Sequence, residues 1–330
     1  MESTPSAPRF ALIAAGEPVV EDFAREVQAG LGGFPKSLPC RFFYDAEGSR
    51  LFEEICKLKE YYIPAAEEEI LRKHAGEIAA SVPAGAMLVE LGSGCAEKTR
   101  VLIEALLRRG GALHFVPIDI SRSALEGCAA RLLALHPALH VSAVCGEYRA
   151  GLAHLRRHFQ GPKLVLWLGS NIGNFDRGEA AEFLGQVGRA LRPDDRVLVG
   201  VDLRKDKETL RSAYDDPKGV TARFNRNILS RINRELGGHF DLQKFRHVAY
   251  YNESAGRVEM FLVSTAAQRV QIEKLELVVD FKNGEAVHTE DSYKYSPEEI
   301  EALAQAGGLR ILQAWTDGPE RFRSVLLAPA

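Results

Sequence analysis

Between residues 86 and 202 the chain alternates short apolar runs with stretches of helical periodicity, and that alternation leaves few folds open. The runs are AMLVEL (86–91), LHFVPID (113–119), HVSAV (140–144), KLVLWL (163–168) and DRVLVGVD (195–202). Helix-like segments fill the gaps at 97–109, 121–135, 150–158 and 178–191. The last gathers Ala180, Phe183, Leu184, Val187 and Leu191 on one face, behind Asp176 and Glu179 placed as a capping residue and its N3 acid. Ser123 and Glu126 are similarly placed near the start of the second helix. Near-continuous apolar runs suit strands covered on both faces, so the pattern predicts βαβ units and a parallel, doubly wound α/β sheet.

Beyond residue 203 the pattern changes. Residues 204–235 read as amphipathic helix, with Tyr214, Val220, Phe224, Ile228, Leu229 and Ile232 among the apolar positions. Residues 245–282 (HVAYYN, RVEMFLVS, RVQIEKLELVVDF) read as a small antiparallel sheet. After Ser296 a helix, EEIEALAQAG, leads to two final runs, RILQAW and SVLLAP, around the turn-rich TDGPERF. A chain of 330 residues suits about two domains. The expected division is 66–202 with 294–330 as the nucleotide-type domain, and 1–65 with 203–293 as a smaller α+β domain covering the site.

Composition removes several function classes. The net charge of −3 and the lack of a basic run with interleaved aromatics argue against a nucleic-acid partner. Phe10 to Ala15 is too short to span a membrane and lacks the flanks of a signal peptide, so a cytoplasmic protein is expected. Five cysteines without short spacings fit reduced thiols better than a disulfide framework or a zinc site. His154 and His158 lie four apart without an HExxH pattern, and no metal is expected there.

The first run continues as LVELGSGCAEKT (88–99). Gly92 and Gly94 satisfy the start of G-x-G-x-x-G, but Glu97 stands at the third glycine position, where it would set negative charge beside a pyrophosphate. S-adenosylmethionine (SAM) has no phosphates, and Glu90 at the strand end suits a SAM site better than a dinucleotide one. Cys95 reads as a small residue at a tight turn. Asp119 closes the second run, placed to accept two ribose hydroxyls, and Glu147-Tyr148 follow the third, placed to meet the adenine edge and face. A second loop, LGSNIGNF (168–175), ends the fourth run, where an open sheet with reversed strand order has its crevice. The competing readings are plain turns for the glycines and local Asx caps for the asparagines. At the level of function they are a nicotinamide dehydrogenase and a non-catalytic SAM-binding regulator.

Longer motifs narrow the choice: KSLPCRFFYDAEGSRLFEEI, EYYIPAAEEEIL, LVELGSGCAEKTR, LGSNIGNF, DLRKD, AYDDPKGVTARFNRNIL, NRELGGHFD, RVEM and HTEDSYKY. Through them the chain resembles, nearly end to end, the histidine Nα-methyltransferases of ergothioneine biosynthesis. The resemblance implies a class I SAM-methyltransferase fold with a split second domain, SAM as methyl donor, L-histidine as small-molecule acceptor and a monomer. It also implies three successive methylations, giving trimethylhistidine (hercynine). Tyr61, Gly92, Lys98, Asp119, Glu147, Tyr148 and Ser170 match positions around SAM, with Gly94 beside them in the loop; Glu147-Tyr148 departs from the Asp-Phe expected but keeps one acid and one ring. Tyr44, Gly169, Asn174 and Tyr214 match positions holding the amino acid's carboxylate and α-amine. Orientation and proton acceptance in catalysis are assigned to Tyr44, Asn174 and Gly169. Phe52 and Met260 match apolar contacts, and Glu290 and Ser292 match the groups that hydrogen-bond the imidazole. The residues alone also admit core roles for Phe52 and Met260, interface roles for Tyr44 and Tyr214, and a solvated face for Glu290 and Ser292. Relatives of these enzymes methylate tryptophan-derived amines, so another aromatic amino acid or such an amine is the alternative acceptor.

Overall fold

All five apolar runs become parallel strands. The computed structural model describes residues 8–15, 19–94 and 96–330, so Cys95 lies outside the described residues. An eight-stranded sheet runs, edge to edge, Phe10–Ala14, Leu139–Cys145, Leu113–Asp119, Met87–Leu91, Lys163–Trp167, Arg196–Asp202, Phe322–Pro329 and Leu309–Thr316. The first six run parallel; Phe322–Pro329 pairs antiparallel with Arg196–Asp202, and Leu309–Thr316 antiparallel with Phe322–Pro329. The chain moves outward from Met87–Leu91 and then returns to its other side at Lys163–Trp167, which creates a switch point between these two strands. Every residue of both is buried, as strands sandwiched between helices require.

Local chemistry sets the helix starts. Asp176 and Glu179 form the expected capping box: the Glu179 N–H donates to Asp176 Oδ1 (2.8 Å) and the Asp176 N–H to Glu179 Oε2 (3.1 Å). The second helix, Arg122–Leu135, corrects its expectation. Its cap is Ser121, which accepts from the Ala124 N–H, while Glu126 pairs with Arg122 on the surface. The region 204–235 is two helices, Lys207–Tyr214 and Val220–Leu236. The break comes where Asp216 accepts the N–H groups of Val220 and Thr221 and Gly219 turns with φ +66°.

The second layer combines early and late segments. Lys36–Ser37, Ala286–Tyr293, Arg257–Ser264 and Phe245–Asn252 form a four-stranded sheet, with alternating burial along the last two. Gln268–Ile272 and Leu277–Phe281, expected in that sheet, pair as a separate hairpin. Helix Ala46–Ile55 packs on Val220–Leu236, and Arg231 donates to the Phe42 carbonyl while Asn227 donates to Asp45. One early piece sits elsewhere: Phe10–Ala14, expected with the smaller domain, is the outer parallel strand of the large sheet, in register with Val141–Cys145. No helix among the described residues is long and apolar enough to cross a membrane.

Candidate active site

The turn after Met87–Leu91 is shaped by Gly92 and Gly94, both at positive φ (+74° and +48°). A Cβ on Gly92 would lie 2.5 Å from Tyr148 Oη and 2.7 Å from Asn171 Nδ2, so three segments converge there with no room to spare. Gly94 has open space in front of it, and its N–H donates to Asp119 Oδ2 (2.9 Å). The other Asp119 oxygen accepts the Ser121 N–H, and burial raises the carboxyl above its ordinary range. A backbone that can approach closely, beside a strand-end carboxylate already engaging the loop, fits the adenosine part of SAM. Tyr148 lays its ring against Trp167, Phe175 and Phe183. Glu147 points to solvent and pairs with Arg41 (3.2 Å).

Glu90 lies beneath the loop. Its Oε1 accepts from Thr99 Oγ1 (2.6 Å) at the next helix start, and burial pushes it up to about 8. Lys98 reaches toward the second loop and pairs with Glu67, a fully buried carboxylate. Both Glu67 oxygens accept the Gly169 N–H (3.0 and 2.9 Å). The carboxylate fits because position 200 is glycine, where a Cβ would stand 2.0 Å from Glu67 Oε1. Glu67 thus ties Lys98 to the Gly169 loop, a contact sequence reasoning missed. Its signal was an acid on the buried stripe Ile63, Ala66, Ile70, Leu71 of helix Ile63–Ala80.

Beside this loop opens a cavity enclosing about 490 Å³ of non-atom space, open solvent included. Its wall includes all eight residues expected around the acceptor: Tyr44, Phe52, Gly169, Asn174, Tyr214, Met260, Glu290 and Ser292. Tyr61 and Ser170, expected near SAM, line it too, whereas Gly92, Gly94, Lys98, Asp119, Glu147 and Tyr148 lie outside the lining. The loop Gly169–Asn174 is the shared partition: Gly169, Ser170, Asn171 and Asn174 face the cavity, while the Asn171 amide also abuts Gly92. Ser170 makes the turn with φ +58°, and its Oγ accepts the Asp202 N–H (3.0 Å).

Aromatic rings form one side. Tyr44 meets Phe52 and Phe224 edge-on (centroids 5.5 and 5.6 Å), and Tyr61 meets Tyr214 (6.0 Å). Burial lifts the Tyr44 and Tyr61 hydroxyls well above the ordinary phenol value, so both are neutral at physiological pH. A neutral phenol at this wall can orient an amine through its hydroxyl. Phe224 and Thr221 also line the cavity without having been assigned to it, and Thr221 Oγ1 is buried with no partner among the described residues.

The far wall comes from strand Ala286–Tyr293. Its register against Arg257–Ser264 slips between His288 and Glu290, and past this bulge Glu290 stands opposite Met260. Glu290 and Ser292 then both face the cavity, Ser292 buried and Glu290 half-buried. Burial pushes the Glu290 carboxyl up to about 7, against the pull of nearby Lys294. Ser292 Oγ and Tyr214 Oη are 2.8 Å apart, and Lys294 Nζ donates to both. Lys294 pairs in turn with Asp202, which also receives Tyr62 Oη and Lys205 Nζ. Sequence reasoning missed this buried network, since a lysine two residues after Ser292 reads as one more solvated charge.

A family model described as histidine-specific methyltransferase, SAM-dependent, matches residues 23–329. The histidine N-alpha-methyltransferase of Mycobacterium tuberculosis is 45% identical over 304 residues, 92% of this chain and 94% of that protein. Ergothioneine biosynthesis protein 1 of Neurospora crassa is 37% identical over 294 residues, 87% of this chain and 32% of that longer protein. Among solved structures, the CcbJ methyltransferase from Streptomyces caelestis aligns with a TM-score of 0.44 at 15% identity, covering 79% of this chain and 90% of that one.

Proposed function

This chain belongs to the histidine-specific, SAM-dependent methyltransferase family, and on that footing we propose that it methylates the α-amine of L-histidine three times, giving trimethylhistidine in ergothioneine biosynthesis. The observation that carries the reading is one cavity joining a carboxylate and a hydroxyl suited to an imidazole (Glu290, Ser292) to polar groups suited to an amino acid (Tyr44, Asn174, Tyr214). The partition loop of that cavity adjoins the Gly92 turn.

SAM supplies a methyl group already activated by its sulfonium, so the protein's task is alignment and delivery of a neutral amine. Asp119 would hold the ribose, the Gly92–Gly94 turn the adenosine side, and Lys98 the carboxylate end, with Tyr61, Glu147, Tyr148 and Ser170 completing the surround. An α-amine has a reference pKa of about 8 and is mostly charged at neutral pH. A desolvated cavity disfavours that charge, so a strong base is unnecessary. Tyr44, Asn174 and the Gly169 backbone would orient the nitrogen lone pair toward the partition. At the other end Glu290, ionised above about pH 7, accepts from an imidazole N–H. A phenyl ring would leave that carboxylate unanswered, which is costly in a desolvated site.

The test is incubation with labelled SAM and each amino acid or tryptophan-derived amine in turn. Label on histidine supports the reading, and label confined to another acceptor overturns it.

A further inference from the structure

Lys294 and Asp202 are fully buried beneath the ring end of the cavity, and Ser292 and Tyr214 are nearly so. Lys294 Nζ lies 2.8 Å from Tyr214 Oη, 2.9 Å from Ser292 Oγ and 3.0 Å from Asp202 Oδ2. An ammonium has three hydrogens and accepts none, so these three partners take all of them. Both hydroxyl oxygens are therefore acceptors toward Lys294. They also face one another at 2.8 Å, and that mutual bond uses one of their two hydroxyl protons. A single O–H is left for the cavity.

We propose that Lys294 is a positioning residue for the methyl acceptor: by fixing both hydroxyl oxygens as acceptors, it makes Tyr214 and Ser292 a single-donor unit. The inference rests on the histidine reading above. Without the ammonium neither oxygen is held as an acceptor from below, and each end of the acceptor meets a mixture of donors and acceptors. With it, the end that takes the one O–H is matched by an acceptor at the other, and the pair reads the acceptor as one object. Lys294 touches no reacting atom, and its effect passes wholly through the two hydroxyls.

The test is calorimetric binding of histidine to the protein saturated with S-adenosylhomocysteine, in a mutant cycle. Lys294→Met keeps the length of the side chain and leaves Asp202 with Lys205 and Tyr62, so the buried carboxylate is not orphaned. The expected result is a loss of about tenfold in histidine affinity in the native background, with cofactor affinity unchanged. In a Tyr214→Phe/Ser292→Ala background the same replacement should cost under about threefold. Lys294→Gln, which retains two donors, carries the same cycle if the methionine variant does not fold, and should lose less. An equal loss from removing Lys294 in both backgrounds would show a merely structural role and overturn the proposal. Wild-type protein that binds cofactor but no histidine would overturn the histidine reading itself, and this inference with it.

Discussion

Replacing Glu290 by alanine removes the carboxylate at the ring end of the cavity and leaves the cofactor side untouched. Glu290 lies opposite Met260 across the sheet, whereas the Gly92 turn adjoins Asn171 of the partition loop and Tyr148. A hydrogen bond to a charged group contributes about 1.5–3 kcal/mol. Glu290 is half-buried and keeps some solvent, so the lower part of that range applies. A loss of about 1.5–2 kcal/mol predicts roughly a tenfold to thirtyfold fall in kcat/KM for histidine. The Kd for SAM should change less than about twofold on the same scale. The pH profile adds a second readout. Burial places the carboxyl at about 7, so the competent carboxylate form grows as pH rises through 7 and is lost below it. Wild-type kcat/KM should therefore carry a rising limb there that Glu290→Ala lacks, while the substrate's own titrations persist in both proteins. Steady-state kinetics between pH 6 and 9, with SAM affinity by calorimetry, make the comparison. Parallel losses in turnover and SAM affinity, or unchanged pH profiles, would refute the assignment.

Other consequences can be measured separately. Asp119→Ala should weaken SAM binding by roughly tenfold or more, the scale of one charged hydrogen bond, and unchanged affinity would refute its ribose role. Gly92→Ala puts a Cβ 2.5 Å from Tyr148 Oη at a left-handed φ, so SAM affinity should fall at least about tenfold, and a tolerant site would contradict the tight turn. Glu90 bears on stability. Its folded value of about 8 lies above the ordinary 4.5, so the folded state holds the extra proton. The contribution of Glu90 is therefore fully present below about pH 4.5 and is lost as pH rises to about 8. Glu90→Gln does not titrate, so its melting temperature relative to wild type should climb across that window; a flat difference would sink the account.

Legibility in the sequence followed the range of the interactions. The five parallel strands were readable because burial on both faces forces near-continuous apolar runs, and the Asp176/Glu179 cap because its partners are three residues apart. Ser121 was passed over for Ser123 because two serines so close give the same local signal. The strand Phe10–Ala14 could not be placed, since its partner lies about 130 residues onward at Val141–Cys145. The acceptor-side residues carried by long motifs, with Tyr61 and Ser170, line one cavity, while Gly92, Gly94 and Lys98 of LVELGSGCAEKTR lie outside its lining. Their supports did not show: Glu67 meets Gly169, and Asp202 meets Lys294, across long stretches of chain. Nor does anything in HTEDSYKY announce the bulge that turns Glu290 and Ser292 inward.

The central claim is that this cavity presents the α-amine of histidine for methylation, and mass spectrometry of the product tests it most directly. Protein incubated with SAM and L-histidine should yield histidine heavier by three methyl groups, all on the α-nitrogen by fragmentation. Unmodified histidine alongside methylation of another amine, or methyl groups on the imidazole ring, would contradict it.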